Sequence, residues 1–313
     1  MNSFWISFNA VLPFILYLAF GYGVRRSGMA DLPFLRKMNR MAFRAFYPLL
    51  MFCNMYTIGD SFPLSMKFLA ISVASMFIII GASCALVPKF IKDPRQIPVI
   101  IQGLYRSNIL LFAVPLVQNL FGDTEMVKAA ALVIIVVPVY NVSATIILEM
   151  YSGREHSSPL KFLFSILTTP LVFGAWVGLL FKFLNIPIAA PVMKVIDQFA
   201  DMTTPLALFI LGGTLEFASL GKHMKMLSIV MAIKMVLIPA VMLAVSTVAG
   251  LSAMERFLML VLYATPEATA SFPMAQAYGA DADLAGEQVV LTTVCTVLIL
   301  FCWIVFMQNT GMI

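Results

Sequence analysis

Charge is scarce in this sequence. Only 11% of its 313 residues are Asp, Glu, Lys or Arg, whereas soluble domains carry about 25%. With 61% hydrophobic residues and a mean hydropathy of +0.97, the chain is too apolar for a water-soluble protein. Apolar runs of about 20 residues recur, and each is long enough to cross a bilayer as a helix. The composition therefore predicts a polytopic, all-α membrane protein and argues against a barrel.

Residues that bind metals, form disulfides or catalyse proton transfer are also scarce. The four cysteines lie inside apolar runs without paired spacing, and the two histidines fall in polar breaks. This pattern argues against a metal site or a disulfide framework. The spans hold no nucleophile–histidine pair and the chain has no P-loop motif, so we expect neither an enzyme nor an ATP-driven pump. We expect no cofactor beyond a coupling ion, H⁺ or Na⁺.

Apolar windows bounded by charge, Gly and Pro predict ten transmembrane helices. They cover residues 4–24, 38–58, 68–88, 98–120, 127–149, 160–182, 196–218, 226–249, 257–278 and 287–308. Lys and Arg are concentrated in alternate connections, such as Arg25 and Arg26 in the first and Lys89 and Lys92 in the third. Cytoplasmic connections retain positive charge, so we expect a multi-pass protein of the cytoplasmic (inner) membrane with both termini outside. The net charge of +5 reflects this asymmetry and does not indicate nucleic-acid binding.

An internal repeat relates two predicted halves, residues 1–155 and 156–313. An offset of 158 residues places "LYRSNILLFAVPLVQNLFGD" (104–123) over "LYATPEATASFPMAQAYGAD" (262–281), with Leu, Tyr, Pro, Gln and Asp in common. Each half holds five predicted spans, an odd number, so the second half enters the membrane from the opposite side. Inverted repeats of this kind are typical of secondary transporters, which bind substrate near the midplane on discontinuous helices.

The fourth and ninth spans are interrupted by Pro and polar residues at matching positions. The residues concerned are Ser107, Asn108 and Pro115 in the fourth span and Thr265, Pro266, Glu267 and Pro273 in the ninth. Proline removes a backbone N–H, and unpaired backbone is tolerated in a membrane only where it faces protein or a water-filled cavity. We therefore expect the two broken helices to cross and to form the substrate-binding site there.

Arg106 and Glu267 place ionisable groups near mid-depth, where a charge costs about 2.5–3.5 kcal/mol. Arg106 is predicted to clamp a substrate carboxylate, because its planar fork matches two oxygens. Glu267 is predicted to carry the coupling proton or sodium ion. The alternatives are a structural ion pair between these two residues, or an Arg106 side chain that extends to the membrane interface.

Other polar and small residues inside the spans carry weaker predictions. Asn54 and Thr214 either line the substrate cavity or hydrogen-bond to a neighbouring helix. Gly212 and Gly213 are expected to permit close helix packing. Lys234 is isolated in the eighth span, and we expect it to snorkel or to pair and not to take part in transport.

Three segments together resemble the auxin efflux carrier family, whose bacterial members include malate and malonate carriers. They are "SNILLFAVPLVQNLFGD" (107–123), "TPLALFILGGTL" (204–215) and "PEATASFPMAQAYGAD" (266–281). The resemblance covers nearly the whole chain. It implies ten spans, a scaffold and a transport domain, and crossed fourth and ninth helices around an anion site.

Carried over by position, the resemblance implies a set of crossover residues. These are Asn108, Pro115, Pro266 and Pro273, with Asn54 as a neighbour. Where the family has flexible glycines between the Asn and the Pro, this sequence has Phe112 and Ala113. A more distant likeness links the chain to the bile-acid sodium symporters.

These observations predict a secondary transporter of a small organic anion, such as the dicarboxylates malate and malonate. The anion would be held at the crossover of helices 4 and 9 and moved by alternating access. The alternatives are a sodium-coupled symporter of the bile-acid type and a channel or sensor without turnover. The expected partners are the anion and the lipid bilayer, with no nucleic acid, and the sequence leaves a homodimer open.

Overall fold

The computed structural model describes residues 3–57, 64–153, 159–215 and 217–313. These residues form fifteen α-helices, two short π-helical segments and no β-strand. The helices are α1 (Ser3–Arg26), α2 (Leu32–Met41), α3 (Tyr47–Tyr56), α4 (Met66–Phe90), α5 (Ile97–Tyr105), α6 (Ile109–Phe121), α7 (Asp123–Tyr151), α8 (Pro159–Leu167), α9 (Pro170–Phe183), α10 (Ala190–Thr214), α11 (Phe217–Ala232), α12 (Ile238–Val248), α13 (Ala253–Ala264), α14 (Ser271–Tyr278) and α15 (Ala282–Asn309). The π-helical segments, Ala42–Phe46 and Ile233–Leu237, directly precede α3 and α12. The described residues thus have the all-helical fold class that the composition predicts.

Five helical segments within the described ranges are long and apolar enough to cross a membrane. They are Met66–Phe90, Lys128–Tyr151, Ala190–Thr214, His223–Val248 and Ala282–Asn309. A sixth is added if Leu160–Leu167 and Pro170–Phe183, which are bent by 76° relative to each other, form one span. The predicted fourth span is divided into α5, with 9 residues, and α6, with 13, so neither part crosses a bilayer alone. The ten-span arrangement therefore stays a prediction.

Helices from both halves of the sequence pack against one another. α1 packs along α10, and α3 packs along α9 and α10. In a second group, α4 packs on α5, α6 on α7, α12 on α13 and α14 on α15, while α1 also contacts α15. The predicted boundary between residues 155 and 156 lies outside the described residues. Because α6 packs on α13 and α14 contacts α5, the fourth and ninth predicted spans lie in the same part of the molecule.

Close contact between α1 and α10 depends on glycine. A Cβ atom on Gly212 would lie 2.0 Å from the carbonyl oxygen of Leu18 in α1. One on Gly213 would lie 3.1 Å from the carbonyl oxygen of Gly21 in α1 and 2.7 Å from a methyl carbon of Leu35 in α2. Small residues allow helix backbones to approach closely in membranes. The predicted packing role of Gly212 and Gly213 is therefore confirmed.

The second π-helical segment has an identifiable cause. Pro239 has no N–H to offer the carbonyl of Met235, four residues earlier. That carbonyl accepts a hydrogen bond from Trp303 Nε1 instead, at 2.9 Å. The altered turn buries Lys234 and Met235 together. Such π-turns are frequent at functional sites, and this one brings a lysine into the interior.

Gly212→Ala is expected to destabilise the protein by about 1–3 kcal/mol, because the added methyl overpacks a backbone contact. The unfolding temperature of the detergent-purified protein measures this loss. Gly81→Ala in α4 is the matched control, since its added Cβ meets no atom within 4 Å. Equal unfolding temperatures for the two variants would contradict the close contact between α1 and α10.

Candidate functional site

Two interruptions of helical structure meet in the interior. They are residues 106–108, between α5 and α6, and residues 265–270, between α13 and α14. The N–H of Asn108 donates to the carbonyl oxygen of Pro266 at 2.8 Å, and Ser107 and Glu267 form an isolated antiparallel bridge. Each break therefore pairs its backbone with the other break, as buried polar groups require.

The Arg106 side chain is held inside the protein with one donor left over. It is 2% exposed, so it does not extend to the surface. Nη1 donates to Gln102 Oε1 at 3.0 Å and to Met274 Sδ at 2.9 Å, and Nη2 donates to Asn141 Oδ1 at 2.6 Å. Nε has no hydrogen-bond partner among the described residues. The guanidinium is thus fixed in place with unused hydrogen-bonding capacity.

A cavity of about 50 Å³ lies beside the two breaks. Its lining residues come from five parts of the chain: Tyr47, Leu50 and Met51; Arg106, Ser107 and Asn108; Val137, Tyr140 and Asn141; Thr204; and Ala268, Thr269 and Ala270. One buried water needs about 10–15 Å³ on this scale. The cavity therefore has room for a few waters or for a small solute.

Glu267 lies behind this cavity and not on its wall. Its side chain is fully buried, and its N–H donates to Thr292 Oγ1 at 3.0 Å. The Ser271 hydroxyl lies beside the carboxylate, yet neither carboxylate oxygen makes a hydrogen bond of normal geometry within the described residues. Lys234 and Arg106 both attract this carboxylate electrostatically. The alternative of a direct Arg106–Glu267 salt bridge is not realised in the described part of the chain.

Lys234 lies against the first break, so of the two expectations for it, snorkelling or pairing, pairing is the one observed. Its side chain is fully buried, so it does not snorkel. Nζ donates to the carbonyl oxygen of Arg106 at 3.0 Å and to Ser107 Oγ at 2.7 Å. The sequence feature that could have indicated its inward direction is Pro239, five residues downstream. A proline disturbs the helical periodicity from which side-chain direction is inferred.

Several predicted residues shape the breaks without lining the cavity. Thr265, Pro266 and Pro273 lie in or next to the second break, and none of them is on the cavity wall. The Thr265 hydroxyl donates to the Val261 carbonyl oxygen at 3.0 Å, within its own helix. Pro115 lies in α6, and its side chain is outside the described part of the structure. Direct substrate contact by these residues stays a prediction.

Asn54 and Thr214 do not reach this cavity. Asn54 lies on α3 one turn beyond the lining residue Met51. Thr214 lies ten residues beyond the lining residue Thr204 on α10, which corresponds to about 15 Å along the helix axis. The Thr214 hydroxyl donates to the carbonyl oxygen of Leu211, within its own helix, at 3.0 Å. The polarity of these two residues within apolar runs therefore did not show how far along its helix each side chain lies from the cavity.

Five polar lining residues were not singled out from the sequence, namely Tyr47, Tyr140, Asn141, Thr204 and Thr269. Asn141 is the clearest omission, because it is a buried amide in the long apolar helix α7 and contacts Arg106 directly. An isolated polar residue in an apolar span is the signal that could have found it.

A second cavity, of about 240 Å³, lies at the far end of α14. Its walls include Arg36, Arg95, Phe272, Gln276 and Thr214, so Thr214 lines this cavity and not the one beside the breaks. Residues 268–270 line the first cavity and Phe272 lines the second. The short segment 268–272 therefore contributes to both cavities.

Interrupted helices that meet at a buried polar cavity define a class of helical membrane transporters. The chain belongs to the membrane transport protein family, whose family model matches residues 6–304. This family contains the auxin efflux carriers, so the resemblance expected from the sequence is confirmed. Its members are transporters, and the chain is an integral membrane transport protein. No curated protein sequence matches the chain significantly.

Thr292→Val is expected to destabilise the protein by about 1–3 kcal/mol, because it leaves the buried Glu267 N–H without an acceptor. Thermal unfolding in detergent measures the effect. Thr296→Val is the matched control, since Thr296 is equally buried but bonds only to the Thr292 carbonyl oxygen of its own helix. The interpretation of Thr292 fails if both variants unfold at the same temperature.

Proposed function

We propose that the protein is a secondary transporter that carries a small organic anion across the cytoplasmic membrane by alternating access. A dicarboxylate such as malate or malonate is the favoured cargo. The observation that carries this proposal is the Arg106 guanidinium, which is buried on the wall of the cavity and has an unpartnered Nε. A planar guanidinium recognises the two oxygens of a carboxylate in a way that a point charge cannot.

Further groups on the cavity wall suit an anion. Asn108 is the N-cap residue of α6, and its side chain makes no capping hydrogen bond. The first N–H groups of a helix carry partial positive charge and bind anions. Ser107 and Thr269 add hydroxyl groups to the same cavity. We therefore propose Arg106, Asn108 and Ser107 as the principal substrate ligands.

The size of the cavity favours small cargo. About 50 Å³ corresponds to only a few waters on the scale in which one needs about 10–15 Å³. A short-chain carboxylate suits this space better than a bulky aromatic anion. This is the reason for preferring malate or malonate over the auxin that gives related carriers their name.

We further propose that the ten predicted spans form two inverted repeats of five, with both termini outside. In this arrangement α5 with α6 is helix 4, and α13 with α14 is helix 9. The support is that the two breaks, which the 158-residue offset aligns, pair with each other through backbone hydrogen bonds. The asymmetric distribution of Lys and Arg supports the orientation.

Charge balance at the crossover supports coupling to a proton. Arg106 and Lys234 are two cations that face one anion, Glu267. With Glu267 ionised, a dicarboxylate dianion would leave one negative charge unbalanced, whereas with Glu267 protonated the charges cancel. Inward movement of an anion is also opposed by an interior-negative potential, at about 2.3 kcal/mol per charge per 100 mV. A proton carried on Glu267 reduces both costs.

Arg106→Lys is expected to weaken transport of malate or malonate about tenfold to a hundredfold, the equivalent of losing a charge-assisted hydrogen bond of about 1.5–3 kcal/mol. Uptake of labelled substrate into proteoliposomes measures this. Arg26→Lys, at an exposed position on α1, is the matched control and should leave uptake unchanged. Absence of flux for every carboxylate tested with the unaltered protein would contradict the proposed function.

Glu267→Gln is expected to abolish acceleration of dicarboxylate uptake by an imposed proton gradient, because the amide cannot release or accept the proton. Initial rates with and without the gradient measure the coupling. Asp201→Asn, an exposed acid on α10, should retain the response. If Glu267→Gln still responds to the gradient as the unaltered protein does, Glu267 has a structural role instead.

A further inference from the structure

Lys234 brings an ammonium group to the carboxyl end of α5. Its Nζ lies 3.0 Å from the carbonyl oxygen of Arg106 and 2.7 Å from Ser107 Oγ. The last carbonyls of a helix carry partial negative charge. In transporters with discontinuous helices, such ends coordinate the coupling sodium ion or proton. The ammonium therefore lies where an inorganic coupling cation would bind.

The oxygen atoms around this ammonium would also suit a small metal cation. They include one carbonyl oxygen, from Arg106, and one hydroxyl oxygen, from Ser107. Glu267 is the backbone bridge partner of Ser107. Its carboxylate attracts Lys234 through space without forming a salt bridge with it, and both carboxylate oxygens lack hydrogen-bond partners among the described residues. Carboxylate, carbonyl and hydroxyl oxygens are the ligands that hard cations prefer. Without the lysine, the carbonyl and hydroxyl oxygens would be two ligands for sodium, and the charge of Glu267 would attract the ion.

The corresponding position in the first half of the sequence carries no charge. At the 158-residue offset, Lys234 falls on Met76, which is fully buried and apolar. The resident cation is therefore present at only one of the two positions that the repeat relates. Methionine is also the natural apolar replacement with which to test the lysine.

We propose that Lys234 is a built-in cation that occupies the place of a coupling sodium ion, so that transport does not need sodium. This inference rests on the proposed transport function. It implies that a response to sodium would appear in a variant that lacks the lysine and not in the natural chain. The lysine neutralises part of the Glu267 charge and holds the first break in place through two hydrogen bonds.

Lys234→Ala is expected to convert the ammonium position into a sodium site. The unfolding temperature of the purified variant should be lower than that of the unaltered protein in choline chloride. It should rise by about 2–4 °C for each tenfold increase in sodium above the dissociation constant, with ionic strength held constant. The unaltered protein should show no such rise. Insensitivity of a folded Lys234→Ala protein to sodium would overturn the proposal.

Two further variants make the test specific. Lys234→Met fills the space with an apolar side chain, so its stability should fall without any recovery in sodium. Lys67→Ala removes an exposed lysine at the start of α4 and should behave like the unaltered protein. If sodium stabilises all of these proteins equally, its effect is general and the proposal is wrong.

Uptake by the unaltered protein is a second test of the proposal, and it does not require a folded variant. Rates in sodium and in choline should be equal, and a requirement for sodium would overturn the proposal. The thermal measurement needs no substrate. Failure to find any transported carboxylate would therefore remove the proposed function while leaving the sodium response of Lys234→Ala as an independent result.

Discussion

Every backbone N–H and C=O that leaves a helix in an apolar environment must find another partner, and the centre of this protein is organised by that requirement. The two breaks meet it largely by pairing with each other, through the Asn108–Pro266 hydrogen bond. Side chains supply two further partners: Lys234 for the Arg106 carbonyl and Thr292 for the Glu267 N–H. The polar residues of this region therefore serve first to complete the backbone, and the cavity is built on the structure they hold.

The three ionisable groups at the crossover have separate positions. Arg106 lies on the cavity wall, Lys234 lies against the end of α5, and Glu267 lies within the second break but not on the cavity wall. An anion in the cavity would meet Arg106 directly and would sense the other two only through their field. This separation allows cargo binding and charge compensation to depend on different residues. It is the physical basis for assigning the carboxylate contact to Arg106 and the proton to Glu267.

Much of this arrangement could be predicted from the sequence because it follows from local rules. Composition indicates a membrane protein, and Pro266 together with adjacent polar residues marks the second break. The direction in which a side chain points and its depth in the molecule could not be predicted in the same way. The π-turn before Pro239 changes the face on which Lys234 lies, and helical periodicity assumes a constant turn. Thr214 is polar inside an apolar run and lines the second cavity, not the one beside the breaks. Which of the two cavities it would line depends on packing that a single sequence does not reveal.

The hydrogen bond from Trp303 to the Met235 carbonyl links α15 mechanically to the turn that carries Lys234. The indole joins α15 to the π-helical segment Ile233–Leu237, in which Met235 is the immediate neighbour of the lysine. A shift of α15 relative to the π-helical segment would pull on this turn and draw the ammonium away from the end of α5. Movement of α15 would then remove a positive charge from the two breaks. Displacement of one helix would therefore change the electrostatic potential beside the cavity.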